Sequence, residues 1–429
     1  MDKSRTRELF ERASRVVPGG IHSNIRYMQP FPYIFERGRG ARLFDVDGEE
    51  YIDCVVNYGA LILGHGDRRV TEAAKQQLDS GLTCGVESEL SIKLAERLNS
   101  IIPCAEMVKF SLSGTEAVAH ALNIVRGYTG KDKIIKIEGG YNGWSDTVIV
   151  SVHPDPSKAG PASAPNKIYE TRGVPQNAKE NTIIIPFNDE DVAEKTIRDN
   201  RDKVAALIVE PVVFNSGAIM PKEGYLQHLR EVTEKNDVLL IFDEVITGFR
   251  LAPGGGQEYF DVTPDLATFA KAMANGFPIS AVAGRRDIMK VSAPGGGVMY
   301  GGVYNGSQVC VAAALATLDA IEDGEVQRRL NESTQYLSKR FTEIAEDRKV
   351  EAQLLGLGGQ FCVYFTDEEI VNYRSAAKSD RAKSQRFHRK LLERGIYTYD
   401  GYLFHNGICA AHTMQDLDLI LEKMSESLP

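Results

Sequence analysis

Short apolar runs alternate with helical patterns along most of this 429-residue chain. β-Rich runs predict strands at 108–111, 133–137, 205–209 and 238–242, with weaker candidates at 147–152 and 182–186. Between them, apolar residues spaced three and four apart predict a helix after Thr115 and another over 224–235. Strands that alternate with helices are typical of an α/β domain with a parallel sheet.

The two ends of the chain follow a different pattern. Residues 1–17 predict a charged amphipathic helix, and residues 41–53 predict a β-hairpin, which is an unlike neighbour for a parallel sheet. After Asp323 the pattern changes again: long helices are predicted at about 324–347 and 376–394, with short strands between them.

These patterns predict a large domain with a terminal segment on each side. A chain of this length is enough for two or three domains. We expect the large domain over residues 54–322. The N-terminal segment, 1–53, and the C-terminal segment, 323–429, are expected to combine into a smaller domain.

Composition and charge narrow the classes of partner. The net charge of −9 and the isoelectric point near 5.6, with no cluster of Lys and Arg, give no general attraction for nucleic acid. No apolar run approaches the roughly 18 residues of a membrane span, and the N-terminus does not resemble a signal peptide. The cysteines lack CxxC spacing and His companions, which argues against a zinc site or a dense disulfide framework; they are residues 54, 84, 104, 310, 362 and 409. We therefore expect a cytoplasmic protein without a metal site.

One lysine stands in an unusual run, ATFAKAMANGFP (267–278). Lys271 is the only cationic residue there, and Asn275-Gly276 and Pro278 mark a turn just after it. A partly desolvated lysine is more readily neutral, so its amine can attack a carbonyl carbon. The alternative is a lysine whose side chain extends to water.

Acidic residues follow two of the predicted strands. Asp243 and Glu244 end the apolar run 238–245, and Glu210 ends the run 205–212. In open α/β sheets, ligands bind at the carboxyl ends of the strands, so these acids are well placed to meet one. The alternative is that Asp243 and Glu244 make only local caps or salt bridges.

A strand, the residues Ser113, Gly114 and Thr115, and a helix follow one another at 108–127. Free amide groups at a helix N-terminus, with two hydroxyls and a glycine, form an arrangement that binds phosphate. Ser113 and Glu116 also fit a capping box, which is the structural alternative. Tyr141 follows the next strand and its glycines, where its ring is able to lie on a flat ligand; a core or surface tyrosine is the alternative.

Together these features describe what pyridoxal phosphate (PLP) requires. A lysine forms a Schiff base with the cofactor's aldehyde, an acid keeps the pyridine nitrogen protonated, and a helix N-terminus holds the phosphate. We therefore predict PLP as the cofactor.

Motifs along nearly the whole chain support a family resemblance. They are Pro18-Gly19-Gly20, DVDGEEYID (45–53), LGHG (63–66), SGTEAVAHAL (113–122), EPVVFN (210–215), DEVITGFR (243–250), Lys271 and His412-Thr413. With them the chain resembles the class III, fold type I PLP-dependent aminotransferases, most closely the subgroup that includes glutamate-1-semialdehyde aminomutase. The resemblance implies a mostly parallel seven-stranded sheet in the large domain, a smaller α+β domain, and a homodimer with shared active sites.

The resemblance also implies roles for individual residues. Lys271 is expected to form the Schiff base and to carry the proton between substrate and cofactor. Asp243 is expected to pair with the pyridinium nitrogen, and Val245 to pack on the ring face opposite Tyr141. The phosphate and the cofactor's oxygen side are expected to contact Ser113, Gly114, Thr115, Glu210 and Asn215.

Substrate recognition is assigned to an arginine by the same resemblance. Arg26 matches the residue that this subgroup uses for the substrate carboxylate, and no arginine follows Arg394, where other class III enzymes often have one. The alternative is that Arg26 is an exposed turn residue. The substrates are expected to be an amino acid and a keto acid.

The chain departs from the family pattern at four places. Asn142 replaces the histidine of the usual Tyr-His-Gly. Where a threonine of the neighbouring subunit usually contacts the phosphate, the chain has Gly302 and Val303, whose backbone N–H groups remain available. Ser307-Gln308 replaces Asn-Pro, a change we leave uninterpreted. Phe404 stands where the aminomutases have a glutamate for the second amino group of their intermediate.

The change at Phe404 favours a transaminase, because an aromatic ring does not accept the hydrogen bond that a glutamate accepts. We expect an amino acid with an apolar or aromatic portion, including a β-amino acid by analogy with relatives. The alternatives are a PLP-dependent isomerase, either an aminomutase or a racemase/epimerase, and a catalytically silent binding or assembly protein.

Overall fold

A computed structural model describes residues 3–82, 85–399 and 401–429. Numbered along the chain, the strands are β1 (Phe35–Arg39), β2 (Arg42–Asp45), β3 (Glu50–Asp53), β4 (Met107–Ser111), β5 (Lys133–Ile137), β6 (Thr182–Ile185), β7 (Val204–Val209), β8 (Leu239–Glu244), β9 (Leu266–Phe269), β10 (Ser280–Gly284), β11 (Gln353–Leu357), β12 (Gln360–Tyr364), β13 (Ile396–Tyr397) and β14 (Asn406–Gly407).

The α-helices are α1 (Ser4–Ser14), α2 (Val56–Gly59), α3 (Arg68–Asp79), α4 (Glu89–Ile101), α5 (Gly114–Thr129), α6 (Glu190–Asn200), α7 (Tyr225–Lys235), α8 (Gly256–Tyr259), α9 (Arg286–Met289), α10 (Gln308–Asp319), α11 (Glu325–Asp347), α12 (Tyr373–Ala376), α13 (Arg381–Glu393) and α14 (Met414–Ser427). Short 3-10 turns lie at Pro18–Gly20, Asn24–Arg26, Gln176–Asn181, Phe214–Ser216, Lys271–Ala274 and Lys290–Ser292.

The central sheet has seven strands in the order β4-β10-β9-β8-β7-β5-β6. Strands β9, β8, β7, β5 and β6 pair in parallel, whereas β10 is antiparallel to both β9 and β4. β7 and β8 are buried along their full length, as expected for parallel strands covered on both faces. The predicted fold class, with its mostly parallel seven-stranded sheet, is confirmed.

Helix α5 covers one face of this sheet. Its residues Ala121, Leu122 and Val125 belong to the same buried apolar cluster as Ile134 on β5 and Ile208 on β7. Their spacing places them on one side of the helix, which explains why the sequence from residue 114 onward packs as a helix against the strands. The packing fixes the N-terminus of α5 next to the carboxyl ends of the parallel strands.

Two smaller sheets involve the ends of the chain. One has the order β1-β2-β3-β13, in which the N-terminal strand β3 pairs in parallel with the C-terminal strand β13. The other contains β11, β12 and β14. The predicted hairpin at 41–53 is present as the antiparallel pair β2 and β3. The division into domains at residues 54 and 322 stays a prediction.

Two secondary-structure predictions differ from the structure, and two strands of the central sheet lack a prediction. Residues 147–152 form no strand; they contain one isolated bridge, between Val150 and Tyr169. The helix predicted at 376–394 begins only at Arg381, because the Asp380 side chain accepts the Lys383 N–H and caps a new helix there. Strands β9 and β10 are absent from the predictions. β10 is rich in alanine and glycine, which have low strand propensity, and β9 is only four residues long.

Within the described chain, no helix is long and apolar enough to cross a membrane. Cys54, Cys104, Cys362 and Cys409 are buried and form no disulfide among the described residues, and Cys84 lies outside those residues.

Candidate active site

Lys271 lies two residues after the end of β9, at the start of a tight turn. The turn is fixed by Asn275, whose side chain accepts the Leu63 N–H at 3.0 Å and donates to the Gly64 carbonyl at 3.1 Å. Lys271 itself has φ 44° and lies in the left-handed region, an uncommon conformation for a residue with a side chain. Its side chain lines a cavity of about 1080 Å³.

The environment of Lys271 favours the neutral amine. Burial lowers its pKa to about 8, and the charges of Glu210 and Asp243 oppose this effect only in part. At neutral to mildly alkaline pH a useful fraction of the amine is therefore unprotonated and able to attack a carbonyl. The expected partly desolvated position is what the structure shows.

Asp243 is buried near the end of β8 and accepts three hydrogen bonds. Its Oδ2 accepts from Asn142 Nδ2 at 2.8 Å, while its Oδ1 accepts from Thr268 Oγ1 at 3.1 Å and from the Val245 N–H at 3.2 Å. Burial raises the pKa of Asp243, and these donors oppose the rise. The donors therefore hold the carboxylate in one orientation and favour its charged form.

Glu244, the neighbouring acid, has a structural role instead. Its carboxylate accepts from Thr247 Oγ1 and from the N–H groups of Gly256 and Gln257. The local-capping alternative is therefore correct for Glu244, whereas Asp243 contacts the loop that carries Asn142. Successive strand residues point to opposite faces, which separates the two acids.

Glu210 follows β7 and is buried with one oxygen unpaired. Its Oε2 accepts from Asn215 Nδ2 at 3.0 Å, but Oε1 has no hydrogen-bond partner among the described residues. Burial, and next the charge of Asp243, raise the pKa of Glu210 to about 8. A buried oxygen without such a partner indicates a place for a further polar group, and the charge of Glu210 acts on the Lys271 amine.

The N-terminus of α5 has the predicted capping box. Ser113 Oγ accepts the Glu116 N–H, and the Glu116 carboxylate accepts the Ser113 N–H at 2.9 Å. A Cβ on Gly114 would lie 2.9 Å from both methyl carbons of Val245, so this glycine lets Val245 approach the helix end. The cap alternative is thus present, and phosphate binding by Ser113, Gly114 and Thr115 stays a prediction.

The loop after β5 brings the predicted ring-stacking residue to the same place. Tyr141 lines the cavity with Lys271 and Asn215, and Asn142 is buried behind it. Gly143 has φ 92°, and a Cβ there would lie 2.9 Å from the Thr115 Cα. The loop therefore packs directly on the N-terminal turn of α5.

This arrangement fits PLP. The Lys271 amine lines the cavity, and the charges of the buried Asp243 and Glu210 act on it. The N-terminus of α5 packs on the loop that carries Tyr141, which lines the same cavity. These are the groups needed for the aldehyde, the ring nitrogen, the ring oxygen and the phosphate.

Of the predicted site residues, Lys271, Tyr141 and Asn215 line this cavity. Asn142, Glu210, Asp243, Val245 and residues 113–115 are not part of its wall. The three remaining predicted residues line other cavities. Arg26 is exposed and lines a neighbouring cavity of about 710 Å³, although the preceding residues 23–25 line the Lys271 cavity. Gly302 and Val303 line a third cavity of about 530 Å³, beside Lys109. Binding of the substrate carboxylate by Arg26 stays a prediction. Binding of the cofactor phosphate in the partner subunit's site by Gly302 and Val303 also stays a prediction.

An aromatic wall forms another side of the Lys271 cavity. Tyr58, Tyr399 and Phe404 meet edge to face, with ring centroids 4.8 to 5.8 Å apart. Phe404 also stacks on His405, with centroids 4.5 Å apart. The wall gives the cavity a surface suited to apolar or aromatic groups.

Sequence reasoning missed two charged residues near the site. Lys136 on β5 is fully buried, and its Nζ donates to the carbonyls of Gly140 at 2.7 Å and Val150 at 2.8 Å, which ties the Tyr141 loop in place. Burial lowers its pKa to about 7. Arg381 lines the Lys271 cavity. A lysine within the strand KIIKI was a detectable signal for Lys136, but nothing in the helical pattern distinguished Arg381 from its neighbours.

A family profile and curated relatives both match most of the chain. The family profile described as "Aminotransferase class-III" matches residues 24–413. The chain is similar to the glutamate-1-semialdehyde 2,1-aminomutase of Methanocaldococcus jannaschii, with 44% identity over 92% of this chain and 91% of that protein. Other curated relatives with the same name are 38 to 43% identical.

Solved structures include transaminases. An omega-transaminase from Sphaerobacter thermophilus superposes with a TM-score of 0.94 and 35% identity, covering 99% of this chain and 97% of that one. A transaminase with PLP bound superposes with a TM-score of 0.90 and 28% identity, covering 100% and 98%.

Proposed function

The chain belongs to the class-III aminotransferase family, and from this membership we propose that it moves an amino group from an amino acid to a 2-keto acid in the Lys271 cavity. PLP is the cofactor. When bound, PLP supplies an electron sink for the negative charge that develops on the substrate carbon. The observation that carries the proposal is the Lys271 amine, whose lowered pKa and place in the cavity suit both attack on a carbonyl and proton transfer.

The chain's own residues then have separate tasks. Asp243, oriented by Asn142 and Thr268, would hold a proton on the ring nitrogen. Glu210 and Asn215 would contact the ring oxygen, and the N-terminus of α5 would hold the phosphate. The neutral Lys271 amine would accept a proton from the substrate carbon and return it at a neighbouring atom.

An aminomutase is the second candidate, and the curated relatives support it more strongly than the first. They carry that name at 38 to 44% identity over nearly the whole chain. The aminotransferase is supported by Phe404, which lines the cavity within an aromatic wall, at the position where the family resemblance implies a glutamate in the aminomutases. The two described acids of the cavity lining, Asp155 and Glu170, already accept hydrogen bonds from nearby backbone N–H groups.

The aromatic wall also supports a substrate with an apolar or aromatic portion. Tyr58, Tyr399 and Phe404 offer ring edges and faces to such a group. A β-amino acid is included, because moving the amino group by one carbon leaves the apolar portion and the carboxylate in place.

We also propose a cytoplasmic homodimer. The loop with Gly302 and Val303 supports shared sites, since it lies apart from its own chain's Lys271 cavity. Met299, Val303 and Tyr304 are large apolar residues exposed on this loop, as an interface would require.

The two functions are separated by one pair of incubations with the purified holoprotein. In the first, α- and β-amino acids of both hands are offered with pyruvate or 2-oxoglutarate as acceptor. In the second, glutamate-1-semialdehyde is given alone. The proposal predicts amino-group transfer in the first and no isomerisation in the second. Formation of the isomer with its amino group on carbon 1, without any acceptor, would establish the aminomutase instead. Lys271→Ala is the control, expected to be inactive in both.

A further inference from the structure

Arg381 is the only arginine among the described residues that line the Lys271 cavity. Arg26, the residue predicted to bind the substrate carboxylate, lines the neighbouring cavity. A substrate held near Lys271 would therefore meet the guanidinium of Arg381 within the same cavity. Guanidinium groups bind carboxylates in a planar, two-pronged geometry.

Arg381 is an exposed residue that contacts an aromatic ring at the edge of the cavity. It is the first residue of α13, directly after the Asp380 cap. Its guanidinium carbon lies 5.6 Å from the centroid of the Tyr402 ring. The Tyr402 hydroxyl in turn lies 2.7 Å from the Ala377 carbonyl oxygen and 2.8 Å from that of Ser379, so the ring is itself held. A cation stacked on a fixed ring is partly oriented before a ligand arrives.

The acids of the cavity lining have other partners. Asp155 accepts from the Ser157 N–H at 3.0 Å, and Glu170 accepts from the N–H groups of Val152 and His153. Within the described residues, Arg381 forms no salt bridge. Nearby Arg374, by contrast, is bound by Glu138 through two hydrogen bonds. Arg381 thus remains available to an anionic ligand.

We propose that Arg381 binds the carboxylate of the substrate, while the wall of Tyr58, Tyr399 and Phe404 contacts its apolar portion. The inference rests on the proposed function, since it concerns a carboxylate-bearing substrate in the same cavity. It assigns substrate recognition to α13, in the C-terminal part of the chain, in addition to the predicted role of Arg26.

The test is calorimetric binding to the purified, PLP-containing protein. The probes are 3-phenylpropionate and its amide, 3-phenylpropanamide, which share a ring and chain length and differ in charge. Neither carries an amine or a keto group, so binding is measured without turnover. The variants are Arg381→Gln, Arg381→Lys, Arg26→Gln and Arg386→Gln. Arg386 is the matched control, because it is an exposed arginine on the same helix that does not line the cavity.

The proposal predicts that wild type binds the carboxylate more tightly than the amide. Arg381→Gln should weaken carboxylate binding by about tenfold or more and leave amide binding unchanged. The carboxylate affinity of Arg381→Lys should lie between those of wild type and Arg381→Gln. The carboxylate affinity of Arg386→Gln should match that of wild type. Equal affinity of wild type for both probes, or a loss confined to Arg26→Gln, overturns the proposal. If Arg381→Gln loses carboxylate binding but no amino acid transfers its amino group, only the proposed function fails.

Discussion

The side-chain amide of Asn142 donates a 2.8 Å hydrogen bond to Oδ2 of Asp243, and both residues are buried. Asn142 stands where the family resemblance implies a histidine. An amide does not titrate, so this donor keeps the same charge at every pH at which the protein is folded. The loop after β5 and the carboxyl end of β8 are thereby joined at the point where the ring nitrogen is expected.

Replacing Asn142 should weaken cofactor binding. In Asn142→Ala, Oδ2 of Asp243 loses its donor and the carboxylate is less favoured, which should reduce PLP affinity by about tenfold. Fluorescence titration of the apoprotein with PLP measures the change. Asn236→Ala is the control, because among the described residues the Asn236 side chain bonds only the Val232 carbonyl, in its own helix. Unchanged affinity in Asn142→Ala would show that the bond does not orient the site.

The two adjacent acids of β8 should respond differently to loss of charge. Asp243→Asn should lower amino-group transfer by about 100-fold or more, because the ring nitrogen loses its anionic partner. Glu244→Gln should instead lower the free energy of unfolding by about 1–3 kcal/mol, since its carboxylate accepts several buried hydrogen bonds. Steady-state rates and urea unfolding of both variants provide the comparison. Equal loss of activity in the two variants contradicts the separation of their roles.

Lys271 should make stability depend on pH in the apoprotein. Its folded pKa of about 8 lies below the ordinary lysine value of about 10.4, so the unfolded chain binds more protons between these values. Stability contributed by this residue therefore rises with pH through that window. From pH 7 to pH 9, wild type should gain about 1 kcal/mol relative to Lys271→Met in urea unfolding.

The control for this measurement is Lys290→Met, because Lys290 lies at the surface. It should follow wild type at both pH values. If the free energies of unfolding of wild type and Lys271→Met changed equally between pH 7 and pH 9, burial would not lower the pKa of the Lys271 amine.

Gly114 and Val245 should be energetically coupled. In Gly114→Ala the new methyl would lie 2.9 Å from both methyl carbons of Val245, so the helix end or the valine must move. We expect a loss of about 1–3 kcal/mol in stability, because overpacking costs that much in a well-packed site. Adding Val245→Ala should recover part of it, as a double-mutant cycle by urea unfolding would measure. Strictly additive losses are inconsistent with the contact.

Phe404→Glu tests which reaction the aromatic wall favours. The glutamate removes the ring contacts with Tyr58 and Tyr399 and supplies a carboxylate inside the cavity. Turnover of aromatic amino acids should fall by about tenfold or more, since the edge-to-face contacts and apolar surface are lost. Product analysis with glutamate-1-semialdehyde alone shows whether isomerisation appears. Unchanged turnover of aromatic donors would mean that the wall does not contact the substrate.

The central part of the site was predictable because its signals are local. The apolar runs end at Glu210 and Asp243, and a turn signal follows Lys271; parallel strands then bring these ends to one edge of the sheet. The sheet was predictable for the same reason, apart from β9 and β10. β9 is a run of only four residues, and the small residues of β10 are held in a strand by burial between neighbours and not by their own propensity.

The substrate side was less predictable because it depends on contacts between distant segments. Which cavity Arg26 lines, and that Arg381 lines the one with Lys271, follow from how the terminal parts of the chain pack on the central sheet. The separate roles of Asp243 and Glu244 also needed the structure, since both acids follow the same apolar run.

The most direct test of the account is to identify the lysine that carries the cofactor. Borohydride reduction of the holoprotein, followed by proteolysis and mass spectrometry, fixes PLP to the amine that holds it. The account predicts a phosphopyridoxyl group on Lys271 and on no other lysine. Attachment to the second buried lysine, Lys136, or the absence of any such peptide, would contradict it.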